Sequence, residues 1–214
     1  MVTDGARDGL RERSKARRRE AILRSAYRLF AERGFDATTI ADIAEAAEVS
    51  PRTVTLYFPS KLELALARSD ALAERLGTAL RERREGWLTL DALEHWLREE
   101  IANRSDLDDL SERMFELNPQ IRAVSNGRLA EVVQEGARLF AEESGSAPGA
   151  FGPRMVATTA AAIVGELCHD PESADIDGAM AFLRAGAATL LPAAPEAEVV
   201  PGATAGRPLR GDAG

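Results

Sequence analysis

Cysteine is nearly absent: Cys168 stands alone among 214 residues. One thiol excludes a disulfide framework within the chain and suits a reducing, cytoplasmic setting. Histidine is almost as scarce. His95 and His169 fall in different segments. Cys168 and His169 are neighbours in sequence, and adjacent positions on a helix point about 100° apart. Metal binding needs convergent ligands, and the chain offers neither a second cysteine nor an i, i+4 histidine. The same scarcity argues against a Cys–His catalytic pair, so neither metal, cofactor nor enzymatic chemistry is expected. Long apolar runs are missing too. The longest weakly polar run, Met155 to Gly165, contains Thr158 and Thr159 and is shorter than the roughly 20 residues that cross a bilayer. The charged N-terminus lacks the apolar stretch of a secretory signal, so no membrane partner is expected. Strand-like alternation never exceeds four residues, and no internal repeat occurs. Lysine appears only at 15 and 61; the excess of arginine, with abundant alanine, suggests a GC-rich bacterial coding sequence.

The net charge of −8 on its own argues against nucleic acid, but its distribution argues the other way. Residues 1–61 carry 12 Lys/Arg and 9 Asp/Glu, whereas residues 62–214 carry 15 and 26. An acidic body with a basic end is the asymmetry expected where one end meets phosphate. Arg7, Arg11, Arg13, Lys15, Arg17, Arg18 and Arg19 form the densest basic stretch; a solvated, frayed helix is the plainer reading of the same residues. The acidic cluster Asp106, Asp108, Asp109 and Glu112 has no glycine-turned loop and reads as a solvated helix start, not a calcium loop.

Hydrophobic periodicity makes the chain all-α, with about nine helices. Residues 1–13, with Gly5, Gly9 and alternating charges, read as a flexible basic arm. The first helix is expected over Ser14–Arg33, with Ile22, Ala26, Leu29 and Phe30 as its buried stripe and Gly34 as its left-handed stop. Thr38 or Thr39 caps a second helix ending near Ala47, with Asp42 in its first turn, where the helix dipole favours a carboxylate. Ser50 caps a third helix that has Pro51 at its first position. In that third helix Val54 and Phe58 share one face, while Arg52, Thr53, Thr55 and Leu56 lie elsewhere. A helix this short is not stable alone, so one face must dock and the other is free to read. Two short helices across a tight turn, with a longer helix ahead, make a helix-turn-helix.

The fourth helix starts after Ser60 and runs to about Arg84. Thr89 is expected to cap a fifth that ends near Asn103. The sixth covers Asp106–Leu117, the seventh Gln120–Glu143, the eighth Phe151–Cys168 and the ninth Ile176–Leu191. Residues 192–214 are Pro, Ala, Gly and Glu without period and read as a disordered tail.

Ala21 to Lys61 resembles the N-terminal domain of the tetracycline-repressor (TetR) family. The likeness lies in Leu-Phe-Ala-Glu-Arg-Gly-Phe closing the first helix, Thr38-Thr39 before the second, and Tyr-Phe-Pro-Ser-Lys leading into the fourth. The resemblance implies a helix-turn-helix unit over 14–60 and a ligand-binding and dimerisation unit over 61–191. It also implies a homodimer whose third helices enter successive major grooves of a double-stranded, palindromic operator. Arg52, Thr53 and Thr55 fall where that family faces bases, and Leu56 is placed to meet a thymine methyl or to pack on the fourth helix. Arg17, Arg18, Arg19, Thr39, Tyr57 and Lys61 fall where phosphate is met. Thr55 stands in place of the family's frequent tyrosine, and Glu48 where glycine is common. The eighth and ninth helices (about 151–168 and 176–191) fall where the family dimerises.

The resemblance further implies a small-molecule effector in the helical body. Trp87, Trp96, Met114, Phe115, Phe140 and Phe151 are candidates to line its pocket, ordinary core packing being the alternative for each. His95, Asn118, Arg122 and His169 are candidates to orient it. The expected function is a sequence-specific transcription regulator, most simply a repressor relieved by a ligand. An activator, a ligand-independent regulator, and a helical small-molecule-binding protein with a vestigial helix-turn-helix are the rivals.

Overall fold

The computed structural model describes residues 4–147 and 149–191. Among them the chain forms nine helices and no strand: α1 Asp4–Arg33, α2 Ile40–Ala46, α3 Pro51–Tyr57, α4 Lys61–Arg81, α5 Thr89–Ala102, α6 Asp106–Leu117, α7 Pro119–Ser144, α8 Phe151–His169 and α9 Ile176–Leu190. The tail expected at 192–214 and the first three residues of the arm lie outside the described residues.

Two expectations are corrected. The stretch taken for a flexible arm is helical from Asp4 onward. Gly5 and Gly9 weaken a helix by only about 1 kcal/mol each, no proline interrupts the segment, and the Arg13 guanidinium donates to the Gly9 carbonyl one turn back at 3.0 Å. Thr89 does not cap α5. Leu88 occupies the cap, with its N–H given to the Asp91 carboxylate at 3.0 Å. Thr89 is buried instead and donates its N–H and hydroxyl to Glu143 of α7, at 2.8 and 2.6 Å.

The short helices start where their side chains predict. Thr39 accepts from the Asp42 N–H at 3.1 Å, and the Asp42 carboxylate accepts from the Thr39 N–H at 2.8 Å. This reciprocal box satisfies orphan donors at the start of α2. Ser50 accepts from the Thr53 N–H at 3.1 Å, and Ser60 from the Glu63 N–H at 3.0 Å. Gly34 ends α1 at φ 87°.

Packing produces two apolar clusters. The first joins Ile22, Tyr27 and Phe30 of α1 to Ile43, Val54, Phe58, the first half of α4, and Leu107, Met114 and Phe115 of α6. The second joins α5, the later part of α7, α8 and α9. A core boundary at residue 60 is therefore not seen. α2 and α3 are too short to enclose a core with α1 alone, and α4 and α6 complete it. Tyr27, fully buried, ties the layers: its hydroxyl accepts the Arg68 N–H at 3.0 Å.

The α6–α7 junction is pinned to α1 by one side chain. Asn118 is buried; its Nδ2 donates to the Phe30 carbonyl at 3.0 Å and to the Met114 carbonyl at 2.7 Å, and its Oδ1 accepts the Phe35 N–H at 2.6 Å. Asn118→Asp keeps the acceptor but turns a second oxygen toward two carbonyls. Urea unfolding should show a loss of about 2–3 kcal/mol at pH 7, partly recovered near pH 4, where a protonated carboxyl (ordinary pKa about 4) donates again. A loss independent of pH would contradict the donor role.

Candidate nucleic-acid interface and internal cavity

The α2–α3 turn sets how α3 is presented. The Val49 N–H closes it on the Ala44 carbonyl at 2.9 Å. Glu48 carries the left-handed conformation, φ 53°, and is the one non-glycine residue to do so among those described. Such a conformation costs an L residue about 1–2 kcal/mol, which the turn must impose. Val54 and Phe58 then bury one side of α3 completely or nearly so. Arg52, Thr55 and Leu56 are left on the exposed side.

Each candidate contact has a definite place. Leu56 is 81% exposed, so it is not packed on α4. The Thr53 hydroxyl lies 2.8 Å from the Ser50 hydroxyl and Thr53 is half-buried, whereas Thr55 is exposed and donates to the Arg52 carbonyl at 3.1 Å. Arg17, Arg18 and Arg52 are exposed, and no carboxylate is paired with them among the described residues. Arg19 sits over the Phe58 ring, 5.0 Å from its centroid, so the exposed basic part of α1 braces the end of α3. Tyr57 is half-buried against the first core. Thr39 is exposed at the start of α2.

Lys61, expected at phosphate, also has partners within the chain. Its ammonium donates to the carbonyls of Phe35 and Thr38, each at 2.8 Å, and lies 4.3 Å from the Phe35 ring centroid. Two of its three N–H bonds therefore hold the α1–α2 turn.

A cavity of about 180 Å³ lies among α4, α5, α6, α7 and α8. Of the candidate pocket residues, Trp96, Phe115 and Arg122 line it. The others do not. Met114 is fully buried in the first core. Trp87 packs edge-on against His95, with ring centroids 5.2 Å apart, and under Arg84. His95 pairs with Glu99 at 3.4 Å. His169 is exposed, with Nδ1 3.1 Å from Glu112. Phe140 lines a second, smaller cavity, and Phe151 is 66% exposed.

The charged lining residues Arg68, Glu100, Arg104, Asp108 and Glu112 were not singled out from the sequence. A signal was present: Arg68 interrupts the stripe Leu64–Leu72, and Glu100 and Arg104 continue the stripe of Trp96 at intervals of four. The Arg68 guanidinium grips Asp108 with two bonds, at 2.5 and 2.7 Å. Burial works to raise the Asp108 pKa, but Arg68 and the Ser105 hydroxyl and N–H outweigh it and hold the carboxyl below its usual range. Burial, aided by nearby Glu100, pushes the Cys168 thiol up to about 11, which leaves it a neutral, unreactive wall group.

A short helix anchored on one side, displaying a guanidinium, hydroxyls and a bare leucine behind a tight turn, defines a helix-turn-helix DNA-binding protein with a helical body. Residues 22–67 match the family described as bacterial regulatory proteins, tetR family. Over 158 residues the chain is 33% identical to the HTH-type transcriptional regulator TcmR of Streptomyces glaucescens, covering 69% of this chain and 70% of that one. It is 29% identical over 147 residues to the HTH-type transcriptional regulator RutR of Escherichia coli, covering 65% and 69%. Among solved structures, NalD of Pseudomonas aeruginosa, the secondary repressor of the MexAB-OprM multidrug efflux pump, shares the fold with a TM-score of 0.59 at 22% identity, over 83% of this chain and 98% of that one. GusR of Salmonella enterica gives 0.58 at 26% identity, over 81% and 95%. The chain belongs to the tetR family of bacterial regulatory proteins and is a helix-turn-helix transcriptional regulator.

The depressed Asp108 carboxyl has a consequence for stability. A group lowered in the folded state stabilises above its unfolded pKa, about 3.9 for Asp, and that contribution is lost as pH falls through the lower folded value. Asp108→Asn should lower the melting temperature at pH 7, and the gap to wild type should close on acidification toward pH ~2. A constant gap would show that the charge pair is not its source.

Proposed function

We propose that this regulator is a homodimeric repressor that binds a palindromic operator and leaves it when a small molecule fills the α4–α8 cavity. The observation that carries the reading is the division of α3. Val54 and Phe58 lock it to a core that α4 and α6 complete, while Arg52, Thr55 and Leu56 are free on the outside. α4 and α6 supply residues to that core and also to the cavity wall. The reader and the cavity thus share two helices.

In this reading Arg52, Thr53, Thr55 and Leu56 face base edges. Arg17, Arg18, Arg19, Thr39, Tyr57 and the remaining N–H of Lys61 face phosphate. Residues 14–60 carry the DNA-facing surface, and 61–191 carry the effector and dimer surfaces. An operator on bacterial DNA places the working protein in the cytoplasm; no described helix is long and apolar enough to cross a membrane. Dimerisation uses α8 and α9, where Phe151 (66%), Met155 (39%), Phe182 (67%) and Leu190 (40%) leave large apolar groups exposed. Large apolar groups exposed on these two helices suit a two-fold interface.

Two measurements test these assignments. Arg52→Ala should cost about 1–3 kcal/mol on the cognate duplex and little on random DNA, whereas Arg18→Ala should weaken both and reduce the salt slope by about one; equal losses on both duplexes for Arg52→Ala would remove it from base reading. Phe182→Glu should convert the dimer to monomer in sedimentation equilibrium, and an unchanged dimer would move the interface elsewhere.

A further inference from the structure

The indole of Trp96 presents a problem that the protein itself leaves open. Its side chain is 5% exposed, and Nε1 has no hydrogen-bond partner. It is the one buried side-chain polar atom so placed among the described residues. A buried donor without an acceptor is unfavourable and calls for a specific explanation. Trp96 borders the larger cavity and not the smaller one; Nε1 itself is covered, so an acceptor reaches it from the larger cavity when a neighbouring wall side chain gives way.

The rest of the wall says what kind of acceptor. Six charged side chains line the cavity, three of each sign: Arg68, Arg104, Arg122, Glu100, Asp108 and Glu112. Every one already has an opposite partner. Arg68 holds Asp108, Arg122 holds Glu112 at 2.9 Å, Arg75 holds Glu100 at 3.0 Å, and Arg104 holds Asp109 at 2.8 Å. A charged ligand would enter with no free counter-charge, and burying an unpaired ion is strongly unfavourable. The remaining polar side chains of the wall are neutral: Ser69, Ser111, Ser125 and Asn126. The Ser69 and Ser125 hydroxyls, both lining the cavity, lie 2.5 Å apart. Their mutual bond uses one of two protons, so the other is available. The opening thus offers donors, apolar walls and no unpaired charge. Its volume exceeds the roughly 150 Å³ that takes benzene.

We propose that the cavity binds an uncharged, mainly hydrocarbon molecule, at least one ring in size, whose carbonyl oxygen accepts a hydrogen bond from Trp96 Nε1. This rests on the reading that the cavity is the effector site, and it adds the effector's chemical class. A ketone, quinone, lactone or amide fits; a carboxylate or an ammonium does not.

The test uses the full chain labelled with ¹⁵N, in which Trp87 and Trp96 give two indole N–H signals, assigned with Trp87→Phe. Four single-ring probes are titrated: acetophenone, ethylbenzene, benzoate and benzylammonium. Acetophenone should shift the Trp96 indole signal and bind about tenfold more tightly than each of the other three, the size of one buried hydrogen bond. In Trp96→Phe, acetophenone should weaken about tenfold, to the level of ethylbenzene, while ethylbenzene binds as before and shows that the cavity persists. If that substitution unfolds the protein, the wild-type contrast of acetophenone with ethylbenzene decides. Tightest binding by either ion, equal binding of acetophenone and ethylbenzene, binding by none of the four, or an unchanged acetophenone affinity in folded Trp96→Phe overturns the proposal. No DNA takes part, so failure here leaves the DNA-reading assignment standing. A carbonyl probe that binds at Trp96 yet leaves operator affinity unchanged contradicts ligand release and not the cavity's chemistry.

Discussion

The rest of the structure depends on the amide of Asn118. It sits between α6 and α7, where Pro119 forces a new helix to begin. Its three hydrogen bonds go to the last turn of α1, the last turn of α6, and the Phe35 N–H just beyond α1. Phe35 in turn gives its carbonyl to Lys61 at the start of α4, and Lys61 holds Thr38, next to the residue that caps α2. One buried side chain thus fixes the end of α6 against the segment from which α2 and α3 depart. Because α6 also supplies Asp108, Glu112 and Phe115 to the cavity wall, a displacement of α6 cannot be absorbed locally. Either Asn118 gives up bonds that have no water to replace them, or α1 and the turn move with it.

Arginine's dominance over lysine has a structural counterpart in the body. Arg128 of α7 bonds both Glu63 and Asp70 of α4, and Arg184 of α9 bonds both Asp91 and Glu94 of α5. Arg98 joins α5 to Asp177 of α9. A planar guanidinium can satisfy two carboxylates in fixed geometry, which an ammonium does less well. Partly exposed pairs contribute only about 0–1 kcal/mol each. Their effect is to set the register of helices whose apolar faces, rich in alanine and leucine, would tolerate sliding. Lysine at 61 is the informative exception, since a compact charge fits between two carbonyls and an aromatic ring.

Local chemistry was the legible part of the chain. The bounds of α6, the caps at Thr39, Ser50 and Ser60 and the stop at Gly34 all follow from side chains within four residues of each other. The anchoring of Val54 and Phe58 was legible for the same reason. Long-range partners were not. Thr89 has the residue type of a cap, but Glu143, 54 positions away, takes its donors. Lys61 bonds two carbonyls 23 and 26 residues earlier, partners that its place before α4 does not announce. Aromatic content was a poor guide to the cavity, since Trp87 packs at the edge of the second core and Phe151 faces outward, while paired arginines and carboxylates form much of the wall. The useful mark was a charge within an apolar stripe, as at Arg68.

The central claim is that α3, locked from behind and bare in front, reads a two-fold symmetric DNA site. Selection from a pool of random duplexes with the full-length chain tests it most directly. Repeated rounds should converge on an inverted repeat whose half-sites lie about one helical turn, or a multiple of it, apart, and binding to that duplex should exceed binding to unselected DNA by about 10³-fold or more. A pool that stays random, or converges on a sequence without two-fold symmetry, would contradict the account.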